Sequence, residues 1–361
     1  MSFTQLAPSD FVISTDSITA PAWSSNQPQL STFYTASSVV STTISQGAFY
    51  LNVYQTQSTA NGAAVQFAIA YGNQEGSGSQ WYNNLVPGVS PSLTTYAQYL
   101  TLVYGAQISG SEGFNFGGLC TNAPDIWTIN IERSRYKQNL FPGTFNLNLS
   151  GSDGQITLCD NSGDTNVVSY LDCGRVFNIV SGSFGKAVSV TPTGAPGPGY
   201  TISGSYGFFL PDIGTIILNP SALSLPAVLG GIGLTPDRAN YGSGSYTLNA
   251  SASYTSTNNT FLYQAISRSA NFQLNSEENI SSNYVFVRIG NADYNYSSNP
   301  TFTTGSTGAV TWPTMIYSPQ TYITTVGLYN VNSELVAVAK MSRPLVKDFT
   351  KEALIRVKLD W

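Results

Sequence analysis

From Gly47 onward, hydrophobic and polar positions alternate along much of the chain, the two-residue period of half-buried strands. Ala48–Tyr54 and Ala64–Tyr71 both follow it, and the linker between them carries Asn61-Gly62, a turn signal, so the pair predicts a β-hairpin. Ile126–Ile131, Gly143–Leu149, Gln155–Cys159, Val167–Leu171 and Val176–Val180 continue as short strands, and Gly207–Pro211 and Gly214–Pro220 follow. Near the C-terminus, Tyr284–Ile289 reads as a strand, and Tyr322–Tyr329 with Leu335–Ala339 forms a second hairpin around Asn330–Glu334. The chain closes on a strand with Ile355, Val357, Leu359 and Trp361 on one face and Leu354, Arg356, Lys358 and Asp360 on the other. Two segments break the period. Leu93, Tyr96, Ala97, Leu100 and Tyr104 recur at three and four residues, with Ser92 as N-cap and Gly105 as terminator, which predicts a helix over 92–104. Asn258–Ser267 is a second, shorter helix candidate. Regular short strands between turn signals predict an all-β fold of sandwich or jelly-roll type, with antiparallel sheets and one or two short helices.

Residues 1–45 are polar, rich in Ser and Thr and interrupted by Pro8, Pro21 and Pro28, and read as an extended N-terminal arm. The rest divides into β-rich regions 46–190 and 191–361, with 46–361 as a single domain left open. The Pro/Gly-rich stretch Thr191–Gly199 reads as a loop or boundary, and 223–247 as a Gly/Pro-rich insertion.

Composition narrows the chemistry. Only 9% of the 361 residues are charged, against roughly 25% in an average globular protein, which argues against helical bundles with their ionic wet faces. Histidine is absent. That excludes Ser-His-Asp and Cys-His hydrolases and every histidine-ligated metal site. Three cysteines, Cys120, Cys159 and Cys173, form no CxxC and no even framework, as expected for a reducing cytosol. Met1–Pro8 has neither a basic nor an apolar stretch of signal-peptide type, and no run of 18 apolar residues predicts a membrane helix. The net charge of −5 is uneven: residues 340–361 hold six basic and three acidic groups, and the preceding 339 residues hold eight basic and sixteen acidic. An acidic body with a basic tail does not suit nucleic acid as the main partner. It suits docking of Arg343, Lys347, Lys351, Arg356 and Lys358 onto an acidic neighbour, or equally a solvated amphipathic end, so the strand around Lys347–Lys358 reads as either a sheet-closing strand or a docking surface.

Candidate catalytic groups are weak. Asp160 and Asp164 resemble half a calcium loop but lack the later acidic ligand, and read better as an Asx/Gly turn. Glu277-Glu278 are adjacent, so on a strand they point to opposite faces and cannot flank one glycosidic bond. Gly230-Gly231-Ile232-Gly233 has no following Lys-Ser/Thr and is no P-loop. Trp23, Trp81, Tyr82, Trp127 and Trp312 could stack sugars, although aromatics on strands more often pack sheets. The expectation is no catalytic residue, no cofactor and no metal.

A His-free, low-charge β-protein with extended ends suits a subunit that works through interfaces, its termini adding strands to neighbours. Gly47–Tyr54, Phe67–Gly72, Val176–Gly182, Leu210–Pro220, Asn295–Phe302 and above all Tyr322–Asp360 carry a resemblance to virion structural proteins of contractile-tailed phages, best known from cyanophages. The resemblance covers most of 47–361 and leaves out the first 45 residues and the insertion. It implies a non-catalytic building block of the tail, baseplate or neck. The partners expected are other virion structural proteins, in a homo-oligomeric symmetric ring, with no nucleic acid and no membrane insertion, in a virion assembled in the host cytoplasm. Phe3, Leu6, Phe11 and Trp23 of the arm, together with the five C-terminal cations, are the expected interface residues. A receptor- or glycan-binding tail-fibre component is the rival reading. The lack of any internal repeat weighs against it.

Overall fold

The structure is a computed structural model that describes residues 4–35, 50–75, 92–105, 113–165, 168–188, 199–236 and 257–360. Its strands are β1 (Phe11–Pro21), β2 (Gln29–Leu30), β3 (Tyr34–Thr35), β4 (Tyr50–Tyr54), β5 (Val65–Asn73), β6 (Asp125–Ile131) and β7 (Asn139–Leu140). There follow β8 (Asn146–Ser150), β9 (Gln155–Asp160), β10 (Ser169–Leu171), β11 (Gly174–Ser183), β12 (Lys186–Ala187), β13 (Gly207–Leu210) and β14 (Thr215–Leu218). The last seven are β15 (Phe272–Gln273), β16 (Asn275–Ile289), β17 (Thr303–Thr304), β18 (Ala309–Val310), β19 (Thr321–Tyr329), β20 (Leu335–Lys347) and β21 (Ala353–Asp360). The helices are α1 (Ser92–Tyr104), the one-turn α2 (Pro220–Leu223) and α3 (Thr257–Ser269). The fold is all-β with antiparallel sheets, and among the described residues it has three helices where the sequence predicts one or two.

The chain forms two compact units, a smaller one of Met1–Ser17 with Asn279–Trp361 and a larger one of Ile18–Glu278. The sequence boundaries at 45/46 and 190/191 both fall inside the larger unit.

In the larger unit one sheet runs β2-β15-β8-β9-β11-β13-β14-β6-β5-β4-β3, with β10 and β12 also paired to β11. The predicted hairpin is β4–β5, and Gly62 in its turn has φ +80°. The central strands β6, β13 and β14 are buried on both faces, which is why they read as near-continuous apolar runs. Trp127, Ile129, Phe209, Ile216 and Leu218 enter one core; their neighbours Ile126, Phe208, Leu210 and Ile217 enter a second on the opposite face. Helix α1 covers the second core with Tyr96, Leu100 and Val103, and α3 adds Leu262, Ala265 and Ile266 to the first. Close approach of α1 needs Gly72: a Cβ there would lie 2.9 Å from Tyr96 N. Gly105, at φ +81°, ends α1 as the sequence predicts, its N–H bonding to Thr101 O.

Two expectations change here. The N-terminal segment is extended, but its described part is not a free arm. Trp23 is 2% exposed and donates its indole N–H to Pro28 O and Phe272 O, while Leu30 and Phe33 are buried beside Phe67. The start of the 223–247 stretch is also part of the fold. Asn219 caps α2 by accepting Ser221 N–H, and Leu223, Ile232 and Leu234 enter the first core. Residues 36–45, 237–247 and most of Thr191–Gly199 lie outside the described residues.

The smaller unit is a thin sandwich. One layer has the strand order β1-β16-β21, with Ser282–Ile289 of β16 paired to β21, and the other is the β19–β20 hairpin. Val285, Ile289, Ile355 and Val357 are buried between the layers, and Leu6, Ile323, Val326, Leu328, Ala339 and Met341 pack on them. The predicted alternation of the last strand holds over the described residues: Ile355 and Val357 point in, Leu354, Arg356, Lys358 and Asp360 point out.

Candidate functional site

The smaller unit gathers most of the expected interface residues. Leu6, Phe11, Arg343, Lys347, Lys351, Arg356 and Lys358 all belong to it, although the first two lie more than 300 residues away in sequence. Trp23 does not; it is a core residue of the larger unit, so its place in the expected interface is corrected. Phe3 lies outside the described residues.

The cations divide by environment. Lys347 is fully buried at the end of β20, and its Nζ donates to Asn291 O at 3.0 Å, Asn295 Oδ1 at 2.8 Å and Asp348 O at 2.9 Å. Three acceptors use all three ammonium protons, so this lysine holds the 291–295 turn against the end of β20 and presents no charge for docking. Its reading as a docking residue is corrected. Lys351 pairs with Asp348 at 2.9 Å across the β20–β21 turn. The Asp348 carboxylate also accepts the Thr350 hydroxyl at 2.6 Å and the Thr350 N–H at 2.9 Å. The Thr350 hydroxyl and then Lys351 pull its pKa down to about 2.

On β21, Lys358 meets Asp360 at 3.1 Å and Asp16 at 3.5 Å, and Arg356 lies over the Tyr284 ring at 5.4 Å. The hydrogen bond to Asp360 raises the Lys358 pKa, and the Ser282 hydroxyl, at 2.7 Å, lowers that of Asp360. Asp10, buried ahead of β1, accepts Arg288 Nε at 2.9 Å. The N-terminal segment thus supplies two carboxylates to its own chain's C-terminal sheet. Solvent screens the exposed Lys358 pairs, so they contribute little to stability. Lys340 and Arg343 stand exposed on β20.

What composition and charge do not reveal is the second face of the β19–β20 hairpin. Ile323, Val326, Leu328, Ala339 and Met341 cover the unit's core. Tyr322, Val336 and Val338 are bare on the strands, Val336 at 64% and Val338 at 58% exposure, and Val331 at the hairpin tip is fully exposed. Trp312, Ile316 and Tyr317 add exposed apolar surface around the Pro313–Met315 turn. The strand edges are open as well: among the described residues β19 and β20 pair only with each other, and β21 ends its sheet order. Open edges carry unpaired main-chain donors and acceptors that can template pairing with another chain. The run of apolar residues at 335–339 is the sequence signal for this two-faced hairpin, but periodicity alone does not say which face stays bare.

The catalytic candidates resolve into structure. Asp160 is buried and accepts the N–H groups of Gly143 and Ser162, and Asp164 accepts that of Ala187. Burial pushes the Asp160 carboxyl up, against these bonds. The pair is turn architecture, as the missing third ligand implied. Glu277 accepts Asn139 Nδ2 at 3.2 Å and Glu278 pairs with Lys137 at 2.8 Å. Of the tryptophans, Trp127 is buried like Trp23, Trp312 is exposed, and Trp81 lies outside the described residues. No group of three or more Cys, Asp or Glu stands together as a metal site among the described residues. No helix among them is long and apolar enough to cross a membrane.

No protein-family model, curated protein or solved structure matches the chain.

Proposed function

We propose that the chain is a non-catalytic structural subunit of a contractile-tailed phage virion, built into the tail, baseplate or neck and acting through subunit interfaces. One observation carries the interface reading. One face of the β19–β20 hairpin covers the core of its unit, and the other leaves Val336 and Val338 exposed beside Lys340. In this reading another chain supplies the second cover, and the unpaired edges of β19, β20 and β21 among the described residues support main-chain pairing to it. Lys340 and Arg343, exposed on β20, favour an acidic rim on that partner. The virion assignment itself rests on the sequence resemblance, which is strongest over Tyr322–Asp360, the segment that contains this hairpin.

The test is a pair of charges on the bare face. Val336→Lys with Val338→Lys points two ammonium groups into solvent and leaves the core residues untouched, so the melting temperature stays within a few degrees of wild type. The expected outcome is that wild-type chain is incorporated into purified phage particles and forms assemblies above the 38.6 kDa of one chain, while the double variant does neither. Equal incorporation and equal mass for both would overturn the reading.

A further inference from the structure

The larger unit holds a second feature that assembly does not explain. An open cleft of about 640 Å³ lies between the C-terminal end of α1, the 115–118 turn, β10, β11 and the 200–204 turn. Its floor is aromatic. Phe116 and Phe208 are nearly buried, with ring centroids 5.0 Å apart, and Phe116 stacks in turn on Phe114 at 5.8 Å. Tyr104 and Tyr200 line it alongside the amides of Asn115 and Asn178, and no charged side chain is among the lining residues.

The amides have unused capacity. Asn115 Oδ1 accepts Gly117 N–H at 2.9 Å, which leaves its NH₂ as a donor. The main chain of Asn178 pairs in both directions with Asn161, so its side chain is not needed for the sheet. The Tyr104 hydroxyl accepts Asn115 N–H at 3.2 Å and can still donate.

The wall is also rigid. Gly118 and Gly204 let the two turns touch: a Cβ would lie 2.5 Å from Ile202 O at the first and 2.1 Å from Phe116 O at the second. Beneath them the fully buried Asn219 donates to Ser203 O and Ser205 O, both at 2.9 Å. A site fixed in this way loses little conformational entropy on binding.

We infer that this cleft binds a neutral saccharide. The C–H face of a pyranose packs on aromatic rings, and its vicinal hydroxyls need paired donors and acceptors such as side-chain amides and phenols. Both are present on one wall. The absence of lining cations disfavours phosphorylated and carboxylated ligands, which call for Arg or Lys. The volume lies within the ~300–1,000 Å³ of ordinary small-ligand sites. The cleft belongs to the larger unit and the hairpin to the smaller, and the inference does not rest on the virion reading.

The experiment is saturation-transfer NMR on the full chain. The probes are D-glucose, D-galactose, D-mannose, L-rhamnose and N-acetylglucosamine with their disaccharides, and N-acetylneuraminic acid and glucose 6-phosphate serve as charged comparators. The expected result is saturable transfer to at least one neutral sugar. Asn178→Ala and Tyr200→Ala should each weaken it about tenfold, the loss of roughly one hydrogen bond or one ring contact. Leu171→Trp provides a control against misfolding: this half-exposed residue lines the cleft from the edge strand β10, so the larger ring should block binding without altering the melting temperature. No saturable binding by any neutral probe up to its solubility limit, binding confined to the charged comparators, or full binding by well-folded Leu171→Trp would each overturn the inference.

Discussion

At the residue scale, burial decides what a charge is for. Lys347 and Lys351 are four residues apart and look equivalent in a basic tail, yet one is a buried ammonium bound by three oxygens and the other an exposed partner of Asp348. Lys347→Met keeps the stem and removes the donors, leaving buried carbonyl oxygens unsatisfied at a cost of about 2–3 kcal/mol. Urea unfolding reads that loss directly. A docking lysine would instead leave stability unchanged and weaken only assembly. Asp348 gives a pH signature. Its folded-state pKa is held below the ordinary 3.8, at about 2. The stabilisation it contributes is therefore full above pH 3.8 and is lost as pH falls through about 2. Asp348→Asn should flatten the dependence of melting temperature on pH between 4 and 2 and leave its slope above pH 5 unchanged. An unaltered acid limb would show that the turn does not hold this carboxylate.

At the element scale, similar alternation leads to different stability. Strands β6, β13 and β14 sit between two cores, whereas β19 and β20 have one thin core on one side and solvent on the other. Amide hydrogen exchange follows the free energy of local opening, which is lowest where few apolar contacts are lost. In the isolated chain, the amides of Thr321–Tyr329 and Leu335–Lys347 should exchange at least tenfold faster than those of Asp125–Ile131 and Thr215–Leu218, measured by mass spectrometry after peptic digestion. Equal protection would mean that the hairpin is already covered. The helix α1 shows the opposite case: the three- and four-residue spacing and the Gly105 stop match its observed range, Ser92–Tyr104, although Ser92 is its first helical residue and not its N-cap, its buried Oγ making no hydrogen bond. α3 extends beyond its expected 258–267 on both sides, and its apolar positions complete the first core.

At the scale of the whole molecule, the N-terminal segment shows how far local reading reaches. Residues 1–45 read as an extended arm from their three prolines and many hydroxyls. Trp23, Leu30 and Phe33 are isolated among polar residues, yet each finds a place in a core with residues such as Phe67 and Phe272, 34 to 249 positions away. Residues 4–17 instead join the C-terminal sheet, through Leu6 on its core and Asp10 and Asp16 on its cations. Over the described residues, the N-terminal segment and the basic strand thus meet within one chain. The outer face of the hairpin stays exposed at Tyr322, Val336 and Val338.

The sequence by itself determined the fold class, the strand and helix periods, the terminal alternation at 353–360 and the absence of imidazole chemistry. These depend on local spacing and on composition, which need no knowledge of partners in space. Tertiary structure alone decided that Trp23 and Lys347 are internal, that the chain divides at 17/18 and 278/279, and that aromatic and amide side chains from five separate segments line one cleft. Those outcomes depend on which distant strands pair and which face each turns inward, and a two-residue period is the same whichever face is covered.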